Sequence, residues 1–107
     1  MSNYRYMRSI VMFDLPTLTA IDKRNYRQFV KELKSSGFIM FQESIYVKLS
    51  INISSVDSMT KHLRKTLPPK GQIAILTVTE KQFNSIEYLL GEFTSDTLDS
   101  DKRVIEL

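Results

Sequence analysis

The sequence lacks most of the residues and motifs from which common catalytic sites are built. It contains no cysteine and a single histidine, His62, in 107 residues, which excludes a disulfide framework, a thiolate metal site and a cysteine nucleophile. Only three glycines are present, and there is no glycine-rich phosphate-binding loop, GxSxG motif or HExxH motif. His62 stands among basic residues in a polar stretch, which is more typical of a solvated side chain than of a catalytic one.

Long apolar runs are also missing. None reaches the roughly 18 residues that a membrane-spanning helix needs, and the mixed, polar residues 1–7 carry no signal-peptide pattern. Together with the absence of cysteine, this predicts a cytoplasmic location. The length and the composition, 42% hydrophobic and 25% charged, indicate one compact domain with a modest core.

Charge is distributed unevenly along the chain. The formal net charge is +3, but residues 94–101 contain three aspartates and no basic residue. Removing those three negative charges leaves +3 plus 3, or +6, on the remainder. A basic body with an acidic segment favours a polyanionic partner; the alternative is a basic surface that is only solvated.

Apolar patterning predicts the first two elements of an α+β domain. A nearly continuous apolar run predicts a central strand at about 6–14. A helix is predicted at about 20–36, where apolar residues recur at helical spacing. Thr19 and Asp22 have the spacing of a capping box at its start, and Gly37 suits its end.

The middle of the chain predicts a hairpin followed by a second helix. Residues 38–49 are rich in aromatic and β-branched side chains, and polar residues interrupt them at 42–44. This pattern favours two short strands joined by a tight turn, with one bulged strand as the alternative. A helix is predicted at about 55–67, with Ser54 as its N-cap and Asp57 completing the cap signal.

The remaining segments complete a ferredoxin-like order, β-α-β-β-α-β, over residues 1–93. A strand at 72–79 and a short helix at 80–90 follow, and residues 94–107 form a polar linker with an extra C-terminal strand. Such a domain is a four-stranded antiparallel sheet with two helices on one face. The other face would be a large apolar patch, for which a homodimer is the simplest cover. The terminal strand could then contact the partner subunit.

A carboxylate, Asp14, closes the first strand in the stretch SIVMFDLPT at 9–17. It can be a turn residue that bonds to nearby backbone, a general base or a metal ligand. One carboxylate is a poor Mg²⁺ site, since Mg²⁺ usually takes one or two carboxylates with waters and substrate phosphates. A two-fold dimer could supply a second copy of Asp14, so a metal function here is conditional on dimerisation.

The basic residues of the first predicted helix lie together on one side of it. At about 100° per residue, five cations fall within roughly a third of its circumference, and the apolar stripe lies opposite. These cations are Lys23, Arg24, Arg27, Lys31 and Lys34. Such an arc suits the phosphates of nucleic acid, with a solvated face as the alternative. Because the aromatic residues lie on apolar faces or in strands, the pattern favours backbone contact with a duplex over base readout.

Three blocks of the sequence resemble the CRISPR-associated protein 2 family, in particular its members from type II-A (Cas9-bearing) systems. They are YRYMRSIVMFDLP at 4–16, GFIMFQESIYVKL at 37–49 and KGQIAILTVTEKQF at 70–83. The resemblance covers nearly the whole chain. It implies a ferredoxin-like homodimer that acts in CRISPR adaptation, the acquisition of spacers. Such a dimer carries incoming double-stranded DNA between two dimers of the integrase, CRISPR-associated protein 1, for insertion at the CRISPR repeat.

The resemblance also implies roles for particular residues. The metal aspartate of the family matches Asp14, which implies Mg²⁺ held by Asp14 of both protomers. Many members are described as Mg²⁺-dependent endonucleases on RNA or DNA, so Asp14 would also be the catalytic residue if this chain is active. The block after the first helix matches Gln42, Ser44, Ile45 and Tyr46. Integrase contacts are expected at Val104, Ile105 and Leu107.

Three hypotheses therefore stand. The first is a duplex-binding scaffold of a spacer-integration complex, which needs aligned cations and no catalytic residue. The second is a metal-dependent nuclease centred on paired Asp14. The third is a small regulatory dimer that binds a metabolite or a protein, although the glycine-lined ligand loop common to that class is missing.

Overall fold

A computed structural model describes residues 6–93 of the chain. Its elements are, in order, β1 (Met7–Asp14), α1 (Ala20–Ser35), β2 (Ile39–Gln42), β3 (Ile45–Ser50), α2 (Ile53–Arg64), β4 (Gln72–Thr79) and α3 (Glu80–Asn84). The predicted linker and C-terminal strand at 94–107 lie outside the described residues, and so do the expected integrase contacts Val104, Ile105 and Leu107.

The sheet has four strands in the order β2-β3-β1-β4. All three pairings are antiparallel, and β1 is central, with β3 on one side and β4 on the other. This confirms the predicted ferredoxin-like architecture. The prediction of two strands within 38–49 is also confirmed, and a shift of register between Met40 and Gln42 adds a bulge to the edge strand β2.

Alternation along β1 directs one set of side chains toward the helices. Val11 and Phe13 are buried, and they belong to one apolar cluster with Phe29 and Leu33 of α1. The same cluster includes three residues of α2, namely Val56, Met59 and Leu63. Helices α1 and α2 therefore cover one face of the sheet, as the apolar stripes predicted.

Local hydrogen bonds decide where the helices begin. The capping box of α1 is confirmed, because the Asp22 N–H donates to the Thr19 hydroxyl and the Thr19 N–H donates to the Asp22 carboxylate. The predicted cap of α2 at Ser54 is wrong. Asn52 caps this helix instead, since its side-chain oxygen accepts from the Ser55 N–H at 2.8 Å.

The predicted helix at 80–90 is too long. Helix α3 ends at Asn84, and Leu89 and Leu90 beyond it are almost fully exposed. The helical spacing of Phe83, Ile86 and Leu90 is what predicts the longer helix, yet Leu90 has nothing to pack against in the described chain. Only Phe83 of the predicted stripe is buried.

Helix α3 turns back across the face of the sheet opposite α1 and α2. Even-numbered residues of β1 lie on this face, and the Arg8 guanidinium stands 4.6 Å from the centroid of the Phe83 ring. Arg8 also donates two hydrogen bonds to the Glu80 carboxylate, at 2.6 and 3.1 Å. Phe41 and Phe93 pack beside Phe83 in an aromatic cluster. The face expected to be bare is thus covered in part by the chain itself.

The rest of this face stays apolar and exposed. Met12 of β1, Leu49 of β3 and Leu76 of β4 share it by register, with exposed fractions of 36%, 47% and 51%. Such a patch is typical of a partner surface, and the expected homodimer remains a proposal. Across residues 6–93, no helix is both long enough and apolar enough to cross a bilayer.

Candidate nucleic-acid interface and the Asp14 edge

The five cations predicted to form a stripe all lie exposed on α1. Lys23, Arg24, Arg27, Lys31 and Lys34 are exposed, whereas Phe29 and Leu33 on the opposite side of the helix are buried in the core. From residue 23 to residue 34 the helix rises by about 16 Å, at 1.5 Å per residue. Phosphates follow one another about every 3.4 Å along each strand of B-DNA, so this length corresponds to about five phosphates.

Both acidic residues of α1 are engaged away from the stripe. Asp22 belongs to the N-terminal cap, and the hydrogen bond from the Thr19 backbone lowers the pKa of its carboxyl group. Glu32 lies 3.4 Å from His62 of α2. His62, expected to be solvated, is more than half exposed in its side chain. The cations of the stripe therefore face solvent without a carboxylate of their own helix among them.

Asp14 ends β1 at an exposed position. It pairs with Gln72 of β4 and lies on the same face of the sheet as Met12. Within residues 6–93 its carboxylate accepts no hydrogen bond, so the side-chain–backbone turn considered from the sequence does not form there. As far as the described residues go, the carboxylate can therefore meet a ligand or a symmetric copy of itself.

Gly71 holds the backbone at this edge in close contact. Its φ is +103°, and a Cβ built there would lie 2.6 Å from Leu15 Cδ2 and 2.7 Å from the carbonyl oxygen of Asp14. Only a residue without a side chain fits this approach. The sequence pattern indicates a helix stop at Gly71 and gives no sign of its contact with the Asp14 segment.

Residues 42–46, which resemble the family block, contact the end of β1 from the β2–β3 turn. The Phe13 N–H donates to the Ser44 carbonyl at 3.0 Å, which ties the end of β1 to the β2–β3 turn. Tyr46 is buried and stacks on Phe13 with 5.9 Å between ring centroids, and burial raises the pKa of its phenol. Ile45 lies opposite Met12, and Gln42 is exposed. Ser44 and Tyr46 thus hold Phe13, the neighbour of Asp14, through a backbone hydrogen bond and a ring contact.

A metal ion at Asp14 would need ligands from elsewhere. The described part of the chain contains no group of three or more histidine, cysteine, aspartate or glutamate side chains that could hold a metal ion. Oxygen ligands such as Asp14 suit Mg²⁺, but residues 6–93 of one chain do not assemble a full protein site. A second carboxylate from a two-fold partner, with waters and substrate phosphates, would be required.

Fold and surface together define a ferredoxin-like domain with a cationic helix and an exposed carboxylate at the end of its central strand. The chain belongs to the CRISPR-associated Cas2 family, because its residues 7–86 match the family described as "CRISPR associated protein Cas2".

Individual relatives agree with this assignment. The chain is 46% identical over 101 residues to a protein of Treponema denticola, covering 94% of this chain and 100% of the relative. It is 48% identical over 101 residues to a protein of Streptococcus mutans serotype c, covering 94% and 93%. Both relatives are named "CRISPR-associated endoribonuclease Cas2".

A solved structure shares the fold. The structure described as "Crystal structure of cas2" superposes with a TM-score of 0.59 at 16% sequence identity, covering 83% of this chain and 91% of that chain. At this identity the likeness concerns the fold alone. The expected family and fold are therefore confirmed, whereas the roles of Asp14 and of the five cations stay predictions.

Proposed function

We propose that the protein is a homodimeric scaffold of CRISPR adaptation, which binds double-stranded DNA along α1 and bridges dimers of the CRISPR integrase. This proposal rests on one observation, the segregation of basic from acidic side chains around α1. Five exposed cations share one face, while both acids of the helix are engaged elsewhere. Membership of the Cas2 family supplies the biological setting.

The geometry of a stiff duplex suits such a scaffold. Duplex DNA has a persistence length of about 150 bp, so a fragment of some tens of base pairs behaves as a rod. The cationic stripe of each protomer spans about five phosphates. Contacts with the phosphate backbone position the rod without reading its sequence. A two-fold dimer doubles the stripe and fixes the distance between the integrase dimers at its two ends.

The apolar patch formed by Met12, Leu49 and Leu76 supports a dimer through the open face of the sheet. It lies opposite the helix layer, so pairing through it leaves α1 of both protomers exposed. Asp14 lies on the same face, which would bring the two carboxylates toward the symmetry axis. In the scaffold, integrase contact is assigned to Val104, Ile105 and Leu107.

Salt dependence of DNA binding tests the stripe. The variant Arg24→Ala with Arg27→Ala should weaken binding to every duplex sequence alike. Each lost phosphate contact should reduce the magnitude of the slope of log K against log salt by about 0.9. The variant dimer loses two cations from each of its two stripes, so this magnitude should fall by about 3.6. Lys70→Ala with Lys81→Ala removes the same charge from exposed positions outside α1 and serves as the control. An unchanged slope in the α1 variant would contradict the proposal.

A second candidate function is Mg²⁺-dependent endonuclease activity on RNA or DNA, centred on paired Asp14. The exposed carboxylate at the end of β1 and the printed name of the relatives, endoribonuclease, support it. Magnesium held there would polarise the scissile phosphate and activate a water molecule. Asp14 would hold the ion, and Gly71 would keep the Asp14 backbone in place.

One reaction separates the two candidates. Integration of a short duplex into a CRISPR-repeat target would be measured with purified integrase and with wild-type protein or Asp14→Ala. Equal integration would make the protein a scaffold in which Asp14 is dispensable. If Asp14→Ala abolishes integration while DNA binding and dimerisation stay intact, the metal-dependent nuclease becomes the favoured candidate. Cleavage that persists in Asp14→Asn would eliminate Asp14 as the nuclease centre.

A further inference from the structure

A groove lies between α1 and the edge strand β2, and three of the five cations assigned to DNA line it. It encloses about 480 Å³. These cations are Arg27, Lys31 and Lys34; one carboxylate, Glu43, lies among them, and the apolar lining includes Val30 and Met40. Met40 is 48% exposed although it lies in a strand. A groove of this kind suits an extended segment with carboxylates beside an aliphatic side chain.

The chain itself contains such a segment. Residues 94–101 read TSDTLDSD, with three aspartates, no basic residue and one leucine. Asp96 and Asp99 flank Leu98 in the sequence. Their charge complements the cations of the groove, and Leu98 complements the exposed thioether of Met40.

The path from the described chain to the groove is short. Phe93, the last described residue, packs on Phe41 of β2 with 5.0 Å between ring centroids. Met40, the neighbour of Phe41 in the chain, lines the groove on the other side of this strand. Because β2 is an edge strand, the chain needs only to pass around it. The five residues from 94 to 98 can span roughly 16 Å when extended.

We propose that residues 95–101 dock in the α1–β2 groove of their own chain, with the aspartates against Arg27, Lys31 and Lys34 and with Leu98 against Met40. The segment would then occupy three of the five cations assigned to DNA. Nucleic acid would have to displace it, and this last consequence alone rests on the proposed function. Short or weakly bound polyanions would be rejected in favour of long duplexes that engage the whole stripe.

Disulfide trapping tests the docking directly, because the chain has no cysteine of its own. The full chain carrying Met40→Cys with Leu98→Cys would be oxidised mildly, and products of monomer mass would be separated on a non-reducing gel. The control pair is Leu18→Cys with Leu98→Cys. Leu18 lies outside the groove and is 90% exposed against 48% for Met40, so random collision would favour the control.

Docking raises the local thiol concentration, and the groove pair should therefore close about tenfold faster or more than the control pair. Exchanging Asp96, Asp99 and Asp101 for asparagine in the groove pair should remove most of that advantage, and so should salt near 1 M, where the Debye length falls to about 3 Å. Equal rates for the two pairs would overturn the proposal. Products of dimer mass only would overturn docking within one chain.

A duplex added to the groove pair tests the shared cations separately. Slower closure in the presence of a duplex is expected if the segment and the DNA use the same side chains. Fast closure without DNA would support docking even if the protein proved not to bind DNA, so the two proposals fail independently. If disulfide closure stays equally fast when a duplex is tightly bound, the segment and the DNA do not compete for the same cations.

Discussion

Replacing Gly71 by alanine should destabilise the fold at the Asp14 edge. At a φ of +103° an L-residue is strained, by about 1–2 kcal/mol as in the left-handed region. The new Cβ would also lie 2.7 Å from the Asp14 carbonyl oxygen and 2.6 Å from Leu15 Cδ2. The backbone oxygen cannot rotate away, and overpacking of this kind costs about 1–3 kcal/mol. The expected loss is therefore about 2–5 kcal/mol.

Gly91→Ala is the matched control for this variant. Gly91 also has a positive φ, +74°, but a Cβ there would have no neighbour within 4 Å. Both substitutions reduce the entropy of the unfolded chain equally, so the difference between them isolates the contact with Asp14 and Leu15.

Urea or thermal unfolding at one fixed protein concentration would measure both variants. Each kcal/mol corresponds to roughly 4–8 °C in a domain of about this size. Gly71→Ala should unfold well below Gly91→Ala, by about 1–3 kcal/mol. Coincident midpoints would refute the reasoning that Gly71 is required by its close approach to the Asp14 backbone.

Further predictions concern the α1 cap and the ion pair on the opposite face. Thr19→Ala should cost about 1 kcal/mol in chemical unfolding, since it removes the capping hydroxyl, whereas Thr17→Ala at an exposed neighbouring position should stay within about 0.5 kcal/mol. Asp22 has a pKa below its ordinary 3.8, so its contribution to stability is present above that pH and is lost as the pH falls through the lowered pKa. The free energy of unfolding of Asp22→Asn should thus fall less steeply with decreasing pH than that of the wild type. Parallel pH dependences of the two proteins would contradict the role of Asp22 in the cap. A double-mutant cycle of Arg8→Met and Glu80→Gln should give a coupling of about 1 kcal/mol, because the pair is bidentate and partly buried; zero coupling would mean that Arg8 acts only through its packing.

Elements with a strong local pattern could be predicted from the sequence. Local sequence indicates three of these elements: the apolar run of β1, the apolar stripe and cap of α1, and the polar break within 38–49. The order of the elements then restricts the topology to one common arrangement. The exposed cations of α1 follow from the same helical periodicity. The surface proposed for DNA can therefore be located from residue spacing alone.

Features that depend on distant neighbours could not be predicted in the same way. Asn52 and Ser54 are both good N-caps, and only the path out of β3 selects Asn52. The short α3 and its aromatic cluster require Phe41, Phe83 and Phe93 to meet across the sheet, which no local spacing reveals. The contact of Gly71 with the Asp14 backbone is of the same kind.

The central position of β1 has a consequence for biosynthesis. This strand leaves the ribosome before its two partners, β3 at 45–50 and β4 at 72–79. From residue 14 to residue 79 the ribosome must add 65 residues, which takes about 3–13 s at 5–20 residues per second. This apolar strand thus lacks the full set of its hydrogen-bonding partners until β4 has been synthesised. We expect the nascent chain to bind chaperones through β1, and to be released only when β4 has emerged and closes the sheet.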